Sequence, residues 1–274
     1  MPVFCFIIFT VNTHYMEKII LVTGATSGFG KAIATRFAKE GYIVCITGRR
    51  EDRLAGLKTD LEKQYGVRVV TLAFDIRDRS QVENALNQLK TQVSHIDILV
   101  NNAGLASGLA TIDEGDIDDW ETMIDTNLKG LLYVTRQITP MMRSRASGHI
   151  INIGSTAGKT VYKNGNVYCA TKFAVEALNQ AMRIDLLPYG IKVTAVNPGM
   201  AETEFSNVRF HGDAERAKGV YADINALQAE DIADIAWYCA SLPPHVCIND
   251  LTVTCLTQAN SLYAIKEAER VKPI

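Results

Sequence analysis

Short apolar runs alternate with helix-length segments along nearly the whole chain, and this rhythm constrains the fold more than any other feature. The runs are rich in valine and isoleucine and mostly continuous, as strands are when both faces of their sheet are buried. Alternation of strands and helices implies right-handed βαβ units. The sequence therefore predicts an α/β fold with a seven-stranded, doubly wound parallel sheet and helices on both faces. Strands are predicted at 18–24, 42–48, 68–76, 96–104, 149–155, 191–199 and 251–257, and helices at 28–41, 51–65, 78–93, 116–145, 166–188 and 228–241.

Residues 16–274 are predicted to form a single domain, because no low-complexity linker and no internal repeat interrupts them. Residues 1–15 are predicted to be an N-terminal extension outside the fold. Their apolar run is too short to span a bilayer, and it lacks the basic segment of a signal peptide. A membrane-surface anchor and a docking segment are the alternatives. Residues 200–228 lack a clear strand and carry several charges, which predicts a substrate lid over the sheet edge where such folds bind ligands.

The composition narrows the classes of function. With 28 basic and 30 acidic side chains the net charge is −2, which gives no basic field for nucleic acid. The six cysteines form no CxxC pair and the five histidines are isolated, so neither a metal site nor a disulfide framework is predicted. Reduced thiols are typical of a cytoplasmic protein, and we expect a small-molecule substrate and no membrane partner.

A glycine-rich turn follows the first predicted strand and reads TGATSGFGK over residues 23–31. Glycines at 24, 28 and 30 permit a tight turn, close approach of the backbone to a pyrophosphate, and close packing of helix on strand. The N-terminus of the next helix supplies N–H groups and partial positive charge for phosphates. The spacing differs from GxGxxG, but the physics is that of a Rossmann dinucleotide site. A glycine-rich turn without a ligand is the alternative.

The end of the second predicted strand indicates which dinucleotide binds. A Rossmann fold that binds NAD usually carries an acidic residue there for the ribose hydroxyls. This chain has Arg49 and Arg50 instead, and guanidinium groups form strong bidentate bonds to phosphate. The sequence therefore predicts NADP rather than NAD. The alternative is a solvated pair of charges that Glu51 and Asp52 balance.

Two further strand ends are predicted to face the same site. Asp75 and Ile76 end the third predicted strand, where a carboxylate could accept from the adenine amino group and the backbone could bracket the ring. Asn101 and Asn102 end the fourth, where small neighbouring residues let the backbone lie against a ribose. We predict that Asn102 contacts the cofactor. For Asn101, bracing of the strand ends is an equal alternative.

Tyr168 and Lys172 are four residues apart in a predicted helix, and Ser155 precedes the tyrosine by thirteen residues. A phenol has a reference pKa near ~10, so it is a poor acid or base at neutral pH. A lysine at i+4 brings a positive charge within reach and favours the phenolate. Ser155, at a strand end, could then hold a substrate carbonyl while Tyr168 transfers the proton. A surface tyrosine and lysine that happen to be four apart is the alternative.

Together these residues resemble the classical short-chain dehydrogenase/reductase family, from residue 16 onward. The motifs are Thr23-Gly24-x-x-x-Gly28-x-Gly30, Asn101-Asn102-Ala103-Gly104, Asn127, Ser155, Tyr168-x-x-x-Lys172 and Pro198-Gly199. The resemblance implies a tyrosine general acid/base, and a lysine that lowers its pKa and holds the nicotinamide ribose. It also implies a serine that orients the substrate, and an asparagine in a helix kink that holds a water of the proton relay. The implied catalytic residues are Asn127, Ser155, Tyr168 and Lys172, and the predicted cofactor contacts are Gly24, Ala25, Thr26, Ser27, Gly28, Phe29, Gly30, Arg49, Arg50, Asp75, Ile76, Asn102, Tyr168, Lys172, Pro198, Gly199 and Thr203.

Longer segments at 120–127, 150–158 and 203–210 look like the NADP-dependent 3-hydroxy acid dehydrogenases. That resemblance implies oxidation of L-serine, L-allo-threonine and related 3-hydroxy acids such as 3-hydroxypropionate, and reduction of malonic semialdehyde. One departure is Glu202, which adds an acid near the expected path of the cofactor or an anionic substrate. A broad NADPH-dependent carbonyl or ketone reductase is the alternative enzyme. A redox-sensing regulator and a membrane-docked reductase of lipids are alternatives of other kinds.

Substrate binding and assembly are the last predictions. A 3-hydroxy acid needs a cation for its carboxylate, and Arg209 in the predicted lid is the candidate, beside Ser155 and Tyr168; a surface salt bridge is the alternative for Arg209. The predicted helix at 166–188 is apolar on more than one face, which suggests a subunit interface as well as contact with the sheet. The family resemblance implies a homo-oligomer, either a tetramer or a dimer, built on this helix and on the helix predicted at 116–145.

Overall fold

The computed structural model describes residues 17–271 of the chain. Its strands are β1 (Ile19–Val22), β2 (Ile43–Gly48), β3 (Val69–Ala73), β4 (Ile98–Asn101), β5 (Gly148–Ile153), β6 (Ile191–Pro198) and β7 (Asp250–Val253). They form a sheet in the order β3-β2-β1-β4-β5-β6-β7, and each neighbouring pair is parallel. The predicted seven-stranded parallel Rossmann sheet is confirmed. The extension predicted at 1–15 lies outside the described residues, and the single domain at 16–274 stays a prediction.

Helices connect the strands and cover both faces of the sheet. The α-helices are α1 (Gly28–Lys39), α2 (Glu51–Tyr65), α3 (Arg79–Gln92), α4 (Ile117–Ile124), α5 (Leu131–Ser144), α6 (Asn166–Leu186), α7 (Phe205–Arg209), α8 (Ala214–Gly219) and α9 (Ala229–Ser241). Short 3-10 turns lie at Thr156–Gly158, Leu187–Tyr189 and Glu267–Glu269. Across residues 17–271, no helix combines the length and the apolar character needed to cross a membrane.

The sheet separates two apolar cores, which explains why the strands are apolar at consecutive positions. Ile20 and Val22 of β1 pack on one face with α1, α2 and α9, whereas Ile19 and Leu21 pack on the other with α3, α5 and α6. Successive side chains of a strand point to opposite faces, so both sets must be apolar. Burying each such side chain contributes about 1.5–3 kcal/mol.

The predicted helix at 116–145 is wrong in its middle. The structure has α4 and α5 there, joined by a π-helical segment at Asp125–Gly130. A Cβ built on Gly130 would lie 2.9 Å from Ile76 Cγ1, so this glycine lets the segment approach the loop after β3 closely. Single π-helical turns inside α-helices are frequent at functional sites. The predicted helix kink around Asn127 therefore takes the form of a π-helical turn.

Several strands end earlier than predicted, because their last residues leave the sheet. β3 ends at Ala73 rather than 76, β4 ends at Asn101 rather than 104, and β7 ends at Val253 rather than 257. The residues that follow β3 and β4 instead line a cleft at the carboxyl edge of the sheet. In the segment predicted as a lid, 200–228, the structure places the short helices α7 and α8.

Candidate active site

A cleft of about 470 Å³ opens at the carboxyl ends of the strands. It is bounded by the turn between β1 and α1, by the ends of β2 to β6, and by residues of α6 and α7. Most residues predicted for the site line it: Gly24, Thr26, Ser27, Gly28, Phe29, Arg49, Arg50, Asp75, Ile76, Asn102, Ser155, Tyr168, Lys172, Pro198, Gly199, Thr203 and Arg209. Ala25, Gly30 and Asn127, which were also predicted for the site, do not line the cleft in the described structure.

The glycine turn leads directly into α1. Gly24 and Gly28 have φ angles of +67° and +51°, a left-handed conformation that L side chains rarely adopt. A Cβ on Gly30 would lie 2.4 Å from both Gly24 O and Asn102 Nδ2, so the turn, α1 and the end of β4 touch there. α1 has no side-chain cap and no acidic residue in its first turn. Its N–H groups and dipole therefore suit a bound phosphate.

Arg50 joins the glycine turn to the segment predicted as a lid. Its guanidinium donates to the hydroxyls of Thr26, at 2.7 Å, and Ser27, at 3.0 Å, and pairs with Glu204 at 3.1 Å. Arg53 pairs with the same carboxylate at 2.8 Å. Although partial burial raises the pKa of Glu204, bonds from the two arginines bring it below its usual range. A cluster of arginines at this edge suits a phosphate group.

Asp75 and Arg49 line the cleft beyond β2. The Asp75 carboxylate accepts from the Arg77 guanidinium at 2.7 Å. Burial raises the pKa of Asp75, but bonds from Arg77 and the charge of Arg49 outweigh it and hold the pKa below the usual value. Asp75 is therefore an ionised hydrogen-bond acceptor, with Arg77 bonded to it and the charge of Arg49 nearby. Its contact with an adenine amino group stays a prediction.

Asn101 and Asn102 have different surroundings at the end of β4. Asn101 Nδ2 donates to Thr135 Oγ1 and Asn152 Oδ1, both at 2.9 Å, so this buried side chain braces neighbouring elements. Asn102 Nδ2 donates to Thr23 O at 2.8 Å and thereby holds the glycine turn against β4. Asn102 also lines the cleft, where its contact with a cofactor stays a prediction.

Tyr168 and Ser155 meet on the wall of the cleft. Ser155 caps the 3-10 turn that follows β5, and its Oγ accepts from Ala157 N at 3.0 Å. Tyr168 is only 8% exposed, and burial raises its pKa well above the usual value; the Ser155 hydroxyl and the Arg209 charge partly offset this effect. The sequence predicted that Lys172 would favour the phenolate, whereas in this structure burial dominates and favours the neutral phenol.

Lys172 is buried one helical turn beyond Tyr168. Its Nζ donates to Ile153 O at 3.0 Å, and a Cβ on Gly104 would lie 3.6 Å from this atom. Burial lowers the pKa of Lys172 to about 8. The bond to a main-chain carbonyl fixes the amino group at the end of β5, at a residue that precedes Ser155 by two positions. At a pH below its pKa, Lys172 carries a positive charge at the lining of the cleft.

Asn127, in the π-helical segment, is fully engaged by its neighbours. Its Oδ1 accepts from Leu105 N at 2.8 Å, and its Nδ2 donates to Leu105 O at 2.8 Å and to Thr171 Oγ1 at 3.0 Å. These bonds tie the segment to α6 at the residue before Lys172. The side chain therefore positions the helix that carries Tyr168. The water of a proton relay at Asn127 stays a prediction.

Arg209 of α7 reaches the same wall from the other side. Its Nη2 donates to the Tyr162 hydroxyl at 2.8 Å, and its guanidinium carbon lies 5.4 Å from the Tyr162 ring centroid and 5.7 Å from that of Tyr168. Phe205, on the same short helix, packs edge-on against Tyr168 with centroids 5.6 Å apart. A partly buried cation thus lies next to the phenol. Glu202, in contrast, is exposed and does not line the cleft in the described structure.

Tyr162, Phe205 and Glu204 are among the contributors to the site that were not predicted from sequence. Tyr162 lies in a loop between β5 and α6 and belongs to none of the motifs. Glu204 is 154 positions from Arg50, and no local pattern signals a pairing over that separation. The only indication in the sequence was that the predicted lid carries acidic residues and the segment after β2 carries arginines, which could have suggested an ion pair between them.

Comparison with known proteins identifies the family. The family model described as short chain dehydrogenase matches residues 18–214, which is well over half of the chain. The chain belongs to the short chain dehydrogenase family. The family motifs quoted above lie within or near the cleft, and the matched residues extend from β1 through α7.

Relatives of this short chain dehydrogenase include enzymes that are named for their substrates. The chain is 49% identical over 242 residues to the NADP-dependent 3-hydroxy acid dehydrogenase YdfG of Salmonella typhi, covering 88% of this chain and 96% of that one. It is 44% identical to the sulfoacetaldehyde reductase 2 of Chromohalobacter salexigens, covering 91% and 99%. The closed form of a serine dehydrogenase complexed with NADP+ superimposes with a TM-score of 0.84, at 45% identity and covering 91% and 99%.

Proposed function

We propose that this short chain dehydrogenase interconverts a 3-hydroxy acid, of the L-serine, L-allo-threonine or 3-hydroxypropionate type, and its 3-oxo acid by hydride transfer. The observation that carries the proposal is the position of Arg209, whose guanidinium lies 5.7 Å from the Tyr168 ring centroid. In a 3-hydroxy acid the reacting carbon and the carboxylate are separated by one carbon. A cation beside the proton-transfer group therefore suits such a substrate.

The enzyme is an NADP-dependent oxidoreductase, as its relatives are. The residues present fit this cofactor, because the glycine turn excludes side chains where a pyrophosphate would approach, and α1 offers its uncapped N-terminus. We propose that Arg49 and Arg50, with Thr26, hold the 2′-phosphate. When bound, NADP supplies the hydride acceptor or, when reduced, the hydride donor.

The side chains of the cleft supply positioning and proton transfer. In oxidation the ionised form of Tyr168, the phenolate, takes the hydroxyl proton and becomes the neutral phenol. In reduction the neutral phenol, the form that burial favours here, donates its proton to the carbonyl oxygen. Ser155 donates a hydrogen bond to the same oxygen. Lys172 places a positive charge near the phenol when it is protonated, and Arg209 holds the substrate carboxylate.

The alternative is a broad NADPH-dependent carbonyl or ketone reductase. Its reaction would use the same neutral phenol of Tyr168 as reduction of a 3-oxo acid, so the protonation state of this group does not distinguish the two functions. The two functions differ in their need for an acid group on the substrate. A reductase of simple ketones would turn over neutral and acidic substrates equally well, and Arg209 would contribute little to KM.

The test is Arg209→Met with matched acidic and neutral substrates. Because a hydrogen bond to a charged group contributes about 1.5–3 kcal/mol, we expect KM for a 3-hydroxy acid to rise at least about tenfold. KM for a neutral alcohol should stay within about twofold. Arg143→Met is the control, because Arg143 also lies over a tyrosine ring, that of Tyr189, but outside the cleft. An unchanged KM for the acid would remove Arg209 from the site.

We also propose a cytoplasmic homo-oligomer, either a tetramer or a dimer. On α6, Phe173 is 41% exposed and Ile184 is 74% exposed, and Leu187 just beyond it is also exposed. Large apolar side chains along one helix suit burial against a second copy. Light scattering that shows only monomer would contradict this part of the proposal.

A further inference from the structure

Four polar side chains form a cluster behind Ser155. Asn197 on β6 is 1% exposed, and Asp250 begins β7. Lys159 follows the 3-10 turn after Ser155, and Glu176 lies on α6, the helix of the proposed acid/base. In the described structure none of the four lines the cleft. Any effect they have on catalysis must therefore act through the residues that do.

Asn197 is in direct contact with the main chain of the serine. Ser155 N–H donates to Asn197 Oδ1 at 3.1 Å, and Asn197 Nδ2 donates to the Asp250 carboxylate at 3.4 Å. A Cβ on Gly154 would lie 1.9 Å from Asn197 Oδ1. The amide therefore lies directly against the backbone at the end of β5, where only a glycine fits. The position of Ser155 depends on the orientation of this amide.

Asp250 determines that orientation. An asparagine amide has an acceptor and a donor of almost the same shape, so its neighbours decide which way it faces. The carboxylate of Asp250 accepts only, and it holds the Nδ2 group. Asn197 Oδ1 must then face the Ser155 N–H. Without a carboxylate at position 250, the amide could turn and present its NH₂ group to another N–H.

Lys159 connects this arrangement to the helix that carries Tyr168 and Lys172. Its Nζ pairs with Asp250 and, at 3.1 Å, with Glu176, which follows Lys172 by one helical turn. A Cβ on Gly158 would lie 2.7 Å from Lys172 O, so the turn before Lys159 already touches α6. The cluster thus spans from the backbone of the serine to the helix of the phenol.

We propose that Asn197 is a positioning residue, whose amide, oriented by Asp250 and tied to α6 through Lys159 and Glu176, fixes Ser155 relative to Tyr168. The proposal rests on the roles of Ser155 and Tyr168 given under Proposed function. Misplacement of a reacting group by about 1 Å can lower a rate by about a hundredfold. The cluster should therefore act mainly on kcat, whereas the groups proposed to bind the phosphates of the cofactor, the glycine turn and Arg50, are not part of it.

The experiment is an exchange of the amide and the carboxylate. Asn197→Asp places two carboxylates against each other, and we expect kcat to fall about tenfold, with the Kd for NADPH within about twofold. In the double variant Asn197→Asp/Asp250→Asn, the amide NH₂ at position 250 donates to the carboxylate at position 197. That carboxylate also still accepts from the Ser155 N–H. We expect the double variant to regain kcat to within about threefold of the original protein. Because rescue could also restore stability, kcat is measured on protein shown to be folded by thermal denaturation, and the expected loss and recovery are in kcat per folded molecule.

Controls separate the possible failures. Asp97→Asn removes another partly buried carboxylate, bonded to Arg145 and to Ile19 N away from the cleft, and should leave kcat unchanged. If Ser155→Ala retains full turnover, the proposed catalytic role fails, and the inference with it. If Ser155→Ala is inactive but the double variant is no better than Asn197→Asp, the inference alone is overturned. If Asn197→Asp does not fold, Glu176→Gln is the deciding variant, because it breaks the ion pair of Lys159 with α6. A severalfold lower kcat would support the inference, and an unchanged kcat would overturn it.

Discussion

The proposed catalytic end of the cleft, around Tyr168 and Lys172, and its proposed phosphate end, around Arg50, differ in what holds their charged groups. At the catalytic end, Lys172 is 7% exposed and donates to the main-chain carbonyl of Ile153. At the phosphate end, the side chains of Arg50 and Arg53 are 40% and 43% exposed, and both bind the carboxylate of Glu204. One end is fixed by buried bonds to main chain, and the other by exposed bonds between side chains.

This difference indicates which end determines the rate of proton transfer and which end determines the preference between cofactors. Buried groups bonded to main chain keep one geometry, which proton transfer requires, because its efficiency depends on hydrogen-bond distances. Exposed charges are screened by water and salt, and each ion pair contributes little by itself. They can nevertheless distinguish a cofactor that carries a phosphate from one that does not. Substitutions at the two ends should therefore change different quantities.

The largest expected effect is at the catalytic end. Tyr168→Phe removes the hydroxyl that we propose transfers the proton, and we expect turnover to fall at least about a hundredfold. The Kd for NADPH, measured by fluorescence titration, should stay within about threefold. Tyr189→Phe, which alters a tyrosine outside the cleft, is the control and should keep full activity. Retained activity in Tyr168→Phe would refute its role as acid/base.

At the phosphate end we expect a smaller and selective effect. Arg50→Met removes a guanidinium bonded to Thr26 and Ser27, and the Kd for NADPH should rise about tenfold, with that for NADH nearly unchanged. Arg53→Met is the matched comparison, since Arg53 binds Glu204 but does not line the cleft in the described structure. Equal losses for both cofactors in Arg50→Met would contradict the assignment of the phosphate site.

The smallest effect is a pH dependence of stability at the catalytic end. Burial lowers the pKa of Lys172 from 10.5 to about 8, so between these values the unfolded chain binds more protons than the folded one. The free energy of unfolding should then rise with pH, by at most about 1.4 kcal/mol per pH unit for this group. Above the ordinary tyrosine pKa of 10.0, the raised pKa of Tyr168 makes the free energy of unfolding fall as the pH rises.

The measurement is denaturation of the original protein and of Lys172→Met between about pH 8 and 10. The slopes of the free energy of unfolding against pH should differ by this amount. Equal slopes in the two proteins would contradict a lowered pKa of Lys172.

The two ends also differ in how far the sequence predicted them. The strands, the glycine turn and the position of Arg50 follow from local patterns of apolar residues, glycines and charges. The π-helical segment at Asp125–Gly130 does not, since the residues of 116–145 read as one helix, with no glycine or proline to mark a break before Gly130. The pairing of Arg50 with Glu204 and the bond from Ser155 to Asn197 join distant parts of the chain. The pKa of Tyr168 depends on burial, which is a property of the assembled fold.

The most direct test of the account is the oxidation of 3-hydroxy acids by the purified protein with NADP and with NAD. Formation of the reduced cofactor would be followed by absorbance for L-serine, L-allo-threonine, 3-hydroxypropionate and simple alcohols. We expect turnover of at least one 3-hydroxy acid, with kcat/KM at least about tenfold higher for NADP than for NAD and well above that for simple alcohols. Equal efficiency with both cofactors, or no preference for acids over alcohols, would contradict the account.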